Sequence, residues 1–104
     1  MELNQLGALL QGVYPTAYWS FPKGKAQPMP FICYFEDGSA NFGADNKVWH
    51  GFKQVHVELY TKTKDPNAEA RLEAMFYDQD IYWEKQEAHL DDEDVYEVIY
   101  TLEV

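Results

Sequence analysis

This chain predicts an α+β fold: a two-layer sandwich with a mostly antiparallel sheet of about five strands and two helices on one face. Three observations point there. Residues 54–71, QVHVELYTKTKDPNAEAR, read as a strand that runs straight into a capped helix. The periodic segments follow the order helix, strand, strand, strand, helix, strand, strand. A sheet and two amphipathic helices bury their apolar surfaces most economically with both helices on the same side. Finally, 104 residues make a single domain with room for one ordinary core.

Each element has its own signal. Leu3, Leu6, Leu10 and Val13 recur at helical spacing over residues 2–11, giving one apolar stripe. Gly12 can take the left-handed position that ends a helix, and Pro15 prevents continuation. Residues 16–21 form a short aromatic strand. Three prolines and a glycine make residues 22–30 a loop, since proline cannot donate to a ladder. The apolar run of residues 31–35 has the length of a strand central to the sheet. EDGSANFGADN, residues 36–46, is rich in turn formers. It reads either as the loop of a hairpin or as a projecting arm.

Residues 47–61 form a long strand, broken or bulged near Gly51. Within it Val55, Val57 and Leu59 alternate with His56, Glu58 and Tyr60, the period-2 mark of a half-buried strand. Asp65 is an N-cap and Pro66 occupies the first helical position. Ala68, Leu72, Met75 and Phe76 then form the apolar face of a helix to about Gln79. Residues 81–87 and 95–104 make a last hairpin across the acidic turn LDDED. In its second strand Tyr96, Val98, Tyr100, Leu102 and Val104 face one way.

Composition narrows the function classes. Eight Tyr, six Phe and three Trp argue for an ordered, strand-rich chain with aromatics to spare for protein contacts. The single Cys33 sits in PFICYF, where a buried thiol is the common outcome. The N-terminus lacks a basic secretory region, and no run approaches the ~20 apolar residues of a membrane span, so a soluble, cytoplasmic chain is expected. Net charge is −10, and all of it falls in residues 63–104, with 13 acidic and 3 basic residues. That disfavours phosphate-backbone binding there, which needs clustered Lys and Arg.

No motif carries catalysis. His56 and Glu58 lie two apart on one strand face and could share a metal or act as base and orienter. His50 is roughly 20 Å from His56 along a regular strand, and nothing completes a ligand set. The run Asp91, Asp92, Glu93, Asp94 lacks the alternating spacing of a calcium loop. Ser20 and Ser39 stand outside any nucleophile motif. AYWSFPKGK, residues 17–25, sets stacking residues beside Lys23 and Lys25, a weak footprint for nucleic acid.

The strand–helix module, with ADNKVWHGFKQ before it and IYWEK and YEVIYTLEV after it, resembles small proteins from the head–tail gene cluster of long-tailed bacteriophages and prophages. These are called tail completion, tail terminator or head–tail joining proteins. The resemblance spans residues 17–104. It implies a structural, non-enzymatic virion component without cofactor or metal, made in the host cytoplasm and carried in the tail.

Such proteins look like subunits of a homo-oligomeric ring, typically a hexamer, that caps the tail tube protein and docks to head connector proteins. DNA only passes through the bore. The loops at residues 27–29 and 39–45 are then the expected seams between subunits, with Gln27, Met29, Phe42 and Asp45 as contacts. Asp91, Asp92 and Asp94 either line the bore and repel DNA or face outward and steer docking. A different class, an acidic DNA mimic that inhibits a DNA-binding enzyme, also fits the size and charge.

Overall fold

A computed structural model describes residues 1–25, 27–44, 47–90 and 95–104, with the side chains of residues 39–52 and 90 outside that description. The elements run α1 (Leu3–Gln11), β1 (Thr16–Tyr18), β2 (Phe31–Ala44), β3 (Lys47–Thr61), α2 (Pro66–Asp78), β4 (Tyr82–Leu90) and β5 (Val95–Glu103). The sheet has the order β1-β2-β3-β5-β4. Every pairing is antiparallel except β1 with β2. The expected element order and α+β architecture are both present.

Register explains the layering. Ile32 faces Leu59, Tyr34 faces Val57, Val57 faces Tyr100 and Val55 faces Leu102. These side chains share one face and form a single cluster with Leu6 and Leu10 of α1 and with Leu72 and Phe76 of α2. Both helices therefore lie on that face. Tyr14, just past α1, donates its hydroxyl to Ala68 O at 3.1 Å and ties the two helices together. The start of α2 follows the sequence expectation, with Asp65 accepting from Ala68 N at 3.0 Å.

Local departures from the sequence reading have local causes. Gly12 does not take the left-handed position: its φ is −69° and ψ −16°. The chain instead winds on, with Val13 N and Tyr14 N both donating to Leu10 O, until Pro15 stops it. β1 ends at Tyr18 rather than at residue 21, because Trp19 has φ 69°, which turns the chain out of the ladder.

Of the two readings of residues 36–46, hairpin loop or projecting arm, the described residues 36–44 bear out the arm. β2 does not stop at residue 35 but runs to Ala44 and pairs with β3 out to Ala44–Lys47. A long β3 has backbone groups to satisfy along its whole length, and the chain that runs back beside it supplies them. The turn formers are absorbed as irregularities. Between Glu36 and Ser39 an extra residue enters β2 at Gly38, whose φ of 107° suits glycine. A second shift falls between Phe42 and Gly43, opposite residues 48–50, while Gly51 itself pairs in register with Asn41.

β5 accompanies β3 only from Thr61 to Gln54, with Lys53 adding a last pair of bonds to Val104. Beyond that point β2 and β3 form a two-stranded arm. Five further residue pairs, over six residues of β3 at ~3.4 Å each, carry it about 20 Å past the sheet. The molecule measures 49 × 28 × 25 Å with a radius of gyration of 14.7 Å, against roughly 13 Å for a compact chain of this length.

Candidate interaction surface

The parallel pairing of β1 with β2 has a consequence on the sheet face that carries no helix. The chain that leaves β1 must return to the start of β2, and Trp19 and Phe21 lie on that face as it does so. Phe21 packs edge-on to Phe31 at 5.3 Å, and Phe31 stacks on Tyr60 at 5.1 Å. Cys33 lies beneath, 6% exposed. Burial, then the Glu58 charge, pushes its thiol pKa up, so it stays protonated and a poor nucleophile.

Next to Cys33 the face holds two carboxyl groups. Tyr60 pairs across the ladder with Glu97, and Glu58 with Ile99, so the two glutamates meet on the diagonal. Their side chains are hydrogen-bonded to each other, and Glu97 is only 8% exposed. Burial is the main cause that pushes Glu58 up to about 7, with its hydrogen bond to Glu97 and the Glu97 charge adding to it. Burial, followed by the two carboxylates, also raises the Tyr60 phenol. A proton on Glu58 is favoured here, because its ionisation beside the Glu97 charge would leave like charges in contact.

Further toward the arm, Trp19 lies flat on Phe35, with ring centroids 4.6 Å apart and an interplanar angle of 8°. Trp19 remains 59% exposed. Its left-handed backbone is uncommon for a bulky residue and holds the indole over the face instead of continuing β1. Phe35 in turn meets the edge of His56 at 5.3 Å, and His56 Nε2 is 3.1 Å from Asp37 Oδ2.

His56 and Glu58, paired in sequence reasoning, thus have separate partners, Asp37 and Glu97. Among the described residues no group of three or more His, Cys, Asp or Glu could hold a metal ion. The arrangement can shelter one proton and stack against an aromatic or apolar group.

The expected seam residues are split between the two ends of the molecule. Gln27 is exposed, its Nε2 3.4 Å from Lys25 O. Met29 lines a hollow of about 320 Å³ with Pro30, Thr61, Lys62, Thr63 and Asp65, at the C-terminal end of β3. Phe42 pairs at Cα level with His50 in the arm, near the other end of β3. Eleven residues of strand, roughly 35 Å, separate these places. Asp45, Asp91, Asp92 and Asp94 lie outside the described residues.

The acidic half of the chain is partly neutralised from within. Glu69 of α2 is 3% exposed, with Lys64 Nζ 2.7 Å from its Oε2 and Lys85 Nζ 3.0 Å from its Oε1. Lys85 also reaches Glu73 at 2.8 Å, and Glu73 accepts the Tyr100 hydroxyl at 2.7 Å. Lys64 bonds to Glu87, which accepts from Tyr96 at 3.0 Å. This network fastens α2 to β4 and β5.

The Glu58–Glu97 pair and the Trp19–Phe35 stack were missed from sequence. Period-2 alternation places Glu58 and Glu97 on the same face, but only register brings them together. Neither a scan of protein-family models nor a search of curated proteins finds a match to this chain. Neither helix is long and apolar enough to cross a membrane.

Proposed function

We propose that this chain is a structural subunit of a phage or prophage particle, of the tail completion or head–tail joining type. Copies of it close into a ring, typically of six, that completes the tail and joins it to the head. The supporting observation is the arm. A two-stranded ribbon is marginally stable alone in water, and this one projects about 20 Å beyond its sheet. A ribbon that projects from one end of the subunit suits a head-to-tail contact, in which one patch binds a different patch on the next copy. Trp19 adds the large, exposed aromatic that subunit contacts favour.

In this reading the partners are further copies of the chain, a tail tube protein and head connector proteins, with DNA passing through the bore. No chemistry is required of the subunit, and it acts in the virion after assembly in the host cytoplasm. Particles made without it test the reading. Tails of uncontrolled length, or full heads without tails, are expected in electron micrographs. Normal particles lacking the protein would remove the proposal. The DNA-mimic alternative is less well supported, because Glu69, Glu73 and Glu87 are tied up by Lys64 and Lys85 and cannot serve as an open phosphate-like array.

A further inference from the structure

We propose that the free edge of β2 in the arm adds as a strand to the β4 edge of a second copy, so that the sheet of one subunit continues into the next. This rests on the self-assembly reading above and specifies the contact.

Three observations carry it. First, β1 covers β2 only at Ile32, Cys33 and Tyr34, with Trp19 N donating to Tyr34 O. Among the described residues, 35–44 of β2 therefore present an unpaired edge. Second, β4 is the terminal strand on the other side of the sheet and offers nine residues, Tyr82–Leu90. The two free edges are nearly equal in length, and each presents backbone donors and acceptors that another strand can satisfy. Third, the extra residue at Gly38 bends the strand and aims the arm away from its own sheet.

The two edges lie at opposite sides of one sheet, so the contact is head-to-tail. Such a contact closes into a ring or runs on as a filament.

The test combines sedimentation with thiol cross-linking. In one variant residues 39–52 are replaced by Asn-Gly, which favours a two-residue hairpin turn. In others single cysteines are introduced by Ala40→Cys or Asn41→Cys in one chain and by Glu84→Cys or Gln86→Cys in another. These adjacent arm positions sample both strand parities, and buried Cys33 does not compete. Asp78→Cys on the exposed side of α2 is the control.

The full chain should self-associate, and the arm-shortened chain should do so at least tenfold more weakly. Arm cysteines should cross-link to the β4 cysteines at least tenfold faster than to Asp78→Cys. Association that survives shortening, or cross-linking no faster than the control, overturns the strand-addition contact and leaves self-assembly standing. A full chain that stays monomeric up to about 1 mM, a concentration that would reveal even −4 kcal/mol of association, overturns both. Cross-linking decides the matter even if the shortened chain fails to fold, because single surface cysteines leave the core untouched.

Discussion

The two faces of β3 and β5 are built from alternate residues of the same strands, yet they solve different problems. Toward the helices, Val55, Val57, Leu59, Tyr100 and Leu102 are fully buried and Val98 nearly so. Their burial drives folding at roughly 25 cal/mol per Å² of apolar surface. On the other side, Glu58, Tyr60, Ile99 and Thr101 are half-buried and Glu97 is buried. Neither α1 nor α2 covers them; Phe21 only roofs the part near Phe31 and Cys33. One face is finished within the subunit. The other combines exposed aromatic surface with a carboxyl, Glu58, whose pKa is pushed up to about 7, which suits a surface that meets something else.

Substitutions can break this contrast. The largest effect belongs to the covered face: Phe76→Ala, fully buried against Tyr100 and Trp83, should cost about 3–5 kcal/mol, read as a lowered midpoint in urea denaturation. Glu58→Gln probes the open face through pH. The folded pKa of Glu58, about 7, lies above its ordinary value of 4.5, so the native state holds a proton that the unfolded chain has released. Its contribution is fully present below pH 4.5 and lost as pH rises through 7.

Wild-type stability should therefore fall over that interval by about 2 kcal/mol, after allowance for partial solvent screening. The Gln variant should show a flatter profile in denaturation at a series of pH values. An unchanged profile would mean that the Glu58 pKa is not raised.

Tyr100→Phe removes only the hydroxyl that reaches Glu73. It should cost about 1 kcal/mol, separating the polar rim of the covered face from its apolar centre by thermal unfolding. Trp19→Ala should have the smallest effect on the isolated subunit, within about 1 kcal/mol, because the indole is 59% exposed and loses mainly its stack on Phe35. If instead it unfolds the chain, the open face is as much a core as the covered one.

Most of the covered face was legible in sequence. Leu6 and Leu10, the β3 valines, the Asp65 cap and the alternation from Tyr96 to Leu102 all occupy the expected places. Glu69 was not legible as a buried residue. It sits one position beyond Ala68 on α2 and is tolerated only because Lys64 and Lys85 converge on it from the preceding loop and from β4. The arm was only half legible. Its turn formers suit a loop, but they occupy a strand because β3 supplies a template and Gly38 accommodates the mismatch in register.

Local periodicity and capping chemistry, properties of a few adjacent residues, were enough to specify the element order and the buried face. The Glu58–Glu97 contact, the Trp19–Phe35 stack and the projecting ribbon depend on which residue of one strand lies beside which residue of another. That alignment is settled by packing the whole sheet against its helices, so only the tertiary structure could decide it.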